Sequence, residues 1–119
     1  MSEEFIKIAT QEINDEISDI ALILDSCKND ADVSKNSDKI EQHMHKIKGL
    51  APMMGKESIG DLAKTLDSVL KKIASGHQVD GFFEPLSFSI KQMTIAMGKT
   101  HDLGEVQTQV SDFASKIID

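Results

Sequence analysis

The chain has 119 residues, of which 39% are apolar and 28% charged, with five phenylalanines as its only aromatics. That is enough apolar material for one soluble domain with a real core, so a single domain over residues 1–119 is expected. Its net charge of −7, carried against 13 lysines and no arginine, argues against a nucleic-acid partner or an anionic membrane surface.

No apolar run approaches the roughly 18 residues that a bilayer span needs. The acidic start, Met1-Ser2-Glu3-Glu4, does not read as a secretory signal, so a cytoplasmic location is expected. The one cysteine, Cys27, cannot close an internal disulfide, and no Cys/His cluster offers a zinc site.

Helix 1 is expected to start after Ser2, a good N-cap with Glu3 and Glu4 in the positively polarised first turn. Ile6, Ala9, Ile13, Ile17, Ile20, Leu24 and Cys27 then keep a 3/4 spacing, with Phe5 and Ile8 widening the stripe. Cys27 reads as a small core residue. The polar stretch from Lys28 to Asn36 reads as a loop, with Asn36 or Ser37 capping helix 2.

In helix 2 the apolar residues Ile40, Met44, Ile47, Ala51 and Met54 recur at 3/4 spacing. At about 100° per residue that stripe centres roughly 125° from the face carrying Glu41, His45, Lys48, Gly49 and Pro52. His45 is thereby anchored on a buried helix yet turned toward water, with Lys48 one turn on. Gly49 removes a side chain beside it. Mid-helix glycine costs roughly 0.5–1 kcal/mol relative to alanine, so a compensating reason is expected, and close approach of a docking partner supplies one.

Pro52 should kink or loosen the last turn, and Gly55 can take positive φ where the helix stops. Helix 3 carries Ile59, Leu62, Leu66, Val69 and Ile73, and ends in Lys71, Lys72 and Gly76. A loop from His77 to Gly81, with Asp80 as a candidate cap, leads to helix 4, marked by Phe83, Leu86, Ile90, Met93 and Met97. Pro85 is tolerable only in its first turn. Leu103, Val106, Val110, Phe113 and Ile117 give helix 5, capped by Asp102 or Thr100. Five amphipathic helices on short connections predict an all-α, antiparallel bundle.

The stretch from His45 to Gly55 resembles the phosphoacceptor motif of histidine-containing phosphotransfer (Hpt) domains, His-x-x-Lys-Gly followed by a small residue and a glycine. The nearest subgroup is the phosphoacceptor domain of CheA chemotaxis kinases, and the resemblance implies an all-α, antiparallel four-helix bundle with an additional C-terminal fifth helix. The resemblance implies that His45 accepts a phosphoryl group, in line with the chemistry of neutral imidazole, a good nucleophile near pH 7. Lys48 would neutralise phosphoryl oxygens, since phosphoryl transfer rests on positioning and charge.

CheA-type domains carry an acidic residue 22 positions after the phosphoacceptor, here Asp67, shorter than the usual Glu. It is expected to hydrogen-bond the other ring nitrogen and orient His45. A histidine often found 19 positions after the phosphoacceptor is replaced by Lys64, a possible accessory cation.

The implied partners are a response-regulator receiver domain and the ATP-binding domain of a histidine kinase. The chain itself has no Walker-type loop and no Asp-x-Gly-x-Gly box, so it is expected to be a kinase substrate rather than an enzyme. No cofactor and no metal is expected, and a monomer is the default. The other histidines and the six methionines read as surface or packing residues, with Leu50 and Met53 as a possible apolar docking rim. The competing reading is a helical interaction module that has lost phosphotransfer. A metal-carrying bundle ranks third, because no Glu-x-x-His motif occurs.

Overall fold

The computed structural model describes residues 2–117. Five helices follow one another: α1 (Glu3–Asp25), α2 (Asp30–Met53), α3 (Glu57–Ala74), α4 (Phe83–Gly98) and α5 (Gly104–Ser115), with no strand among the described residues. The long axis of 43 Å is close to the roughly 36 Å expected for the 24-residue α2.

Neighbouring helices run antiparallel. Between α1 and α2, Cys27 meets Asn36 while Glu16 meets His43; between α2 and α3, Lys48 meets Asp67 while Gly60 packs on Pro52. The four-helix body is completed by α4, which packs against α1 and α3, and α5 lies across α3 and α4. One continuous apolar core joins all five helices, with Ile13, Ile20, Ile40, Met44, Ile47, Leu62, Leu66, Leu70 and Met93 fully enclosed. Phe82 and Phe113 stack with ring centroids 5.6 Å apart, pinning the α3–α4 connection to α5.

Local signals hold at several ends. Ser2 caps α1, its hydroxyl accepting the Phe5 N–H at 3.1 Å. Gly55 (φ 73°) and Gly76 (φ 104°) end α2 and α3, and the next N–H returns to Ala51 or Lys72. Pro85 falls in the first turn of α4. Cys27 is buried, and burial first, then the negative charge of Asp32, pushes its thiol up, as suits an inert core residue.

Three expectations need correction. The polar stretch after Lys28 is not a loop to Asn36: α2 begins at Asp30. Asn29 Oδ1 accepts the Asp32 N–H, and Asp32 Oδ2 accepts the Lys28 N–H, both at 2.9 Å. These two side-chain caps, together with burial of Val33 and Ser37, add two turns to the helix. Second, Asp80 does not cap α4; the Asp30 carboxylate accepts the Gly81 and Phe83 N–H groups, each at 2.8 Å. Third, the N-terminal end of the α1 stripe is not buried: Phe5, Ile6 and Ile8 are exposed, while Glu16 is buried instead.

Pro52 lies inside α2 and the helix stops one residue later, at Met53. At α5, Asp102 contributes as expected, accepting the Gly104 N–H at 2.8 Å, although Leu103 occupies the cap position.

Candidate phosphoacceptor site

The site lies where α2 and α3 face each other near the middle of the bundle. Met44 and Ile47 anchor α2 in the core, leaving His45 between them with 58% of its side chain exposed. Leu66 and Leu70 anchor α3, and Asp67 between them is turned into the α2–α3 seam with 2% of its side chain exposed.

Asp67 organises everything else. Its Oδ2 accepts from the ammonium groups of Lys48 and Lys71, both at 3.0 Å, and stands 3.6 Å from His45 Nδ1. Glu41, one turn before His45, brings Oε2 to 4.0 Å from the same nitrogen. The ring therefore presents Nδ1 to the carboxylates.

The expected Asp67–His45 hydrogen bond is not made, because 3.6 Å is beyond its range. Aspartate is one methylene shorter than glutamate, and two lysines already hold the oxygen nearest the ring. The interaction is a carboxylate facing Nδ1 of the ring across 3.6 Å.

Burial alone pushes the Asp67 carboxyl up, but the neighbouring Glu41, Lys48 and Lys71 outweigh it and hold it below the usual aspartate value. Glu41 moves the other way. The neighbouring Asp67 carboxyl, together with burial, raises its carboxyl above the usual value. Lys71 is held above the ordinary lysine value, chiefly by its hydrogen bond to Asp67.

Four of the five residues singled out by sequence fall within this neighbourhood: His45, Lys48, Asp67 and the exposed Gly49. A Cβ on Gly49 would meet nothing within 4 Å. Lys64 falls elsewhere. It lines a groove between α3 and α5 with Asp61, Thr65, Ser68, Gln107 and Ser111, and pairs with none of the carboxylates at His45. The second cation of the site is Lys71 instead, which with Glu41, Gln42, His45 and Lys46 lines a shallow depression beside the ring.

Sequence reasoning gave Glu41 no role and treated Lys71 only as a helix-end charge. Helical spacing carried a signal for both: Glu41 is four residues before His45, and Lys71 four after Asp67. His43, read as unremarkable, points to α1, where Nδ1 meets the buried Glu16 at Oε1, 2.7 Å away.

Glu41, His45 and Asp67 bring three ligand-type atoms within 4.8 Å of one another, as do Glu16, Asp19 and His43. At the first cluster Lys48 and Lys71 already supply positive charge at the oxygen a cation would need.

Residues 4–110 match the family model of the Hpt domain. The chain belongs to the Hpt family, whose members are phosphocarriers in two-component signalling rather than enzymes, and which interact with receiver and kinase domains. No curated protein and no solved structure is significantly similar to it. No helix among the described residues is long and apolar enough to cross a membrane.

Proposed function

We propose that the chain carries a phosphoryl group on Nε2 of His45, receiving it from a histidine kinase's ATP-binding domain or a phosphorylated receiver and passing it to a receiver aspartate. The observation that supports this most directly is the polarity of the ring: Nδ1 faces the buried, lysine-paired Asp67 while the side chain as a whole is more than half exposed. In transfer, the Nε2–P bond forms as the P–O bond to the donor breaks, and Nδ1 keeps its proton. Positive charge then develops on the ring, and the Asp67 carboxylate stabilises it.

Lys48 and Lys71 are flexible cations within reach of the same space, and the phosphoryl oxygens would compete with Asp67 for them. Gly49 leaves the approach open. Met53, one turn further on, is exposed, and Leu50 is half-buried beside it, an apolar rim suited to a receiver.

The test is phosphoryl transfer from a phosphorylated receiver, or from a histidine-kinase core with ATP, to wild type and His45→Gln. The expected result is an acid-labile, base-stable label on wild type that is missing from the variant. Folded wild-type protein that takes no label from several donors would remove the phosphocarrier reading and leave a helical interaction module.

A further inference from the structure

The carboxylate that faces the phosphoacceptor has two oxygens in very different situations. Oδ2 of Asp67 holds two ammonium groups, whereas Oδ1 is fully buried and receives no hydrogen bond from any backbone N–H, hydroxyl, amide or ammonium. A buried carboxylate oxygen left without a donor is costly, so a donor is expected. The groups facing Asp67 from the two helices are Glu41, His45 and Lys48 on α2 and Lys71 on α3. Both lysines are engaged at Oδ2, and His45 Nδ1 also lies on that side. Of these neighbours that leaves Glu41, whose carboxylate has an oxygen within 4.8 Å of an Asp67 oxygen, and a carboxyl group can donate only when it carries its proton.

We propose that Glu41 is a positioning residue for the phosphoacceptor: its protonated carboxyl group donates to Oδ1 of Asp67 and holds Oδ2 toward His45 and the lysines. The proposal rests on the phosphocarrier reading for its consequence, not for its geometry. The upward shift of Glu41 and downward shift of Asp67 agree with one proton held on the Glu41 side of the pair.

When Glu41 ionises, two carboxylates share the seam, Oδ1 loses its donor, and Glu41 Oε2, 4.0 Å from Nδ1, competes with Asp67 for the ring N–H. The ring is then held in more than one way. Phosphoryl acceptance should weaken as Glu41 loses its proton, at a pH above that of an ordinary glutamate.

Two variants separate this role from a structural one. Glu41→Gln keeps a permanent donor, an amide N–H, while Glu41→Ala removes it. Phosphoramidate is a suitable donor because it needs no partner protein: its P–N bond breaks as Nε2–P forms, the leaving nitrogen departs as ammonia, and Nδ1 keeps its proton. Rates of phosphohistidine formation, followed by 31P NMR, are compared between about pH 5.5 and 8.5, spanning the zone above ordinary carboxylate values.

The ratio of Glu41→Gln to wild type should start near one and rise with pH. Glu41→Ala should be roughly three- to tenfold slower than wild type at the acid end and converge on it at the alkaline end. Three superimposable profiles would overturn the proposal.

A second measurement stands apart from phosphotransfer. The 13C resonance of the Glu41 carboxyl, titrated in wild type and in Asp67→Asn, should show a raised value in wild type that falls back in the variant. A Glu41 titrating in the ordinary range in wild type would also overturn the proposal, even if His45 is phosphorylated normally. A raised, Asp67-dependent Glu41 in a protein that no donor phosphorylates would instead uphold the pair and count against the phosphocarrier reading.

Discussion

Gly49 is exposed one turn before the end of α2, beside His45, and replacing it by alanine should improve the fold while harming the proposed transfer. Glycine in a helix interior is less favourable than alanine by roughly 0.5–1 kcal/mol, because more backbone freedom is lost on folding. Nothing in the structure opposes the new methyl group: its nearest neighbours lie beyond 4 Å, and Gly49 is not among the positive-φ glycines. The full propensity gain is therefore expected, about 0.5–1 kcal/mol, or roughly 2–6 °C in Tm for a domain of this size.

Urea unfolding followed by circular dichroism should show a higher midpoint with an unchanged slope. The methyl group also stands where a receiver would close on the ring. An interface packed as densely as a core loses about 1–3 kcal/mol to one inserted methyl, so receiver affinity should fall at least about fivefold. A destabilised Gly49→Ala would refute the reading of open space. Unchanged affinity and transfer would refute the docking role and leave the helical glycine without an explanation.

The same substitution at Gly60 should have the opposite sign. A Cβ there would lie 2.6 Å from Pro52 Cγ and 2.8 Å from Cδ, and a proline ring locked in a helix cannot swing aside. Overpacking of about 1–3 kcal/mol exceeds a propensity gain of up to about 1, so Gly60→Ala should lower the urea midpoint. The penalty should shrink when measured in a Pro52→Ala background.

Asp67→Asn should destabilise the fold by about 1–2 kcal/mol at neutral pH, the partly exposed lysines tempering the loss. Asp67 has a lowered folded value, so its contribution is present above the ordinary aspartate range and disappears as pH falls through the folded value. Glu41, with a raised value, contributes below the ordinary range and loses that contribution as pH rises through its folded value. The wild-type advantage over Asp67→Asn should therefore grow from acid pH and then decline once Glu41 ionises; a flat difference in urea melts across pH would contradict the pairing. His43→Ala should cost roughly 1–3 kcal/mol, because it leaves the buried Glu16 without its 2.7 Å partner, whereas His43→Ala combined with Glu16→Leu should recover much of the loss. Equal stability of the two variants would place the His43–Glu16 contact on the surface in energetic terms.

The helices themselves were legible because their signals are local. Ile13, Ile17, Ile20 and Leu24 in α1, or Ile59, Leu62, Leu66 and Val69 in α3, declare a buried face by spacing alone. Gly55 and Gly76 declare their ends. The outward face of α2 was legible for the same reason: His45, Lys48 and Gly49 lie within two turns of one helix, and the apolar stripe around them dictates that they face outward.

What the sequence did not reveal depends on pairs far apart in the chain. The start of α2 looked like a loop because its residues are polar. They are helical because Asn29 accepts the Asp32 N–H and Asp32 accepts the Lys28 N–H, while Asp30 caps α4 from across the fold. Glu16 interrupts an apolar stripe and is buried only because α2 brings His43 against it.

At the site, the choice between Lys64 and Lys71 as second cation is a question of helix rotation. Both lie on α3 about one turn from Asp67, yet one faces α5 and the other faces α2. Periodicity fixes which residues share a face of one helix. Which face meets which neighbour, and hence that Asp67 gathers Glu41, His45, Lys48 and Lys71 around it, is decided only by how α2 and α3 pack.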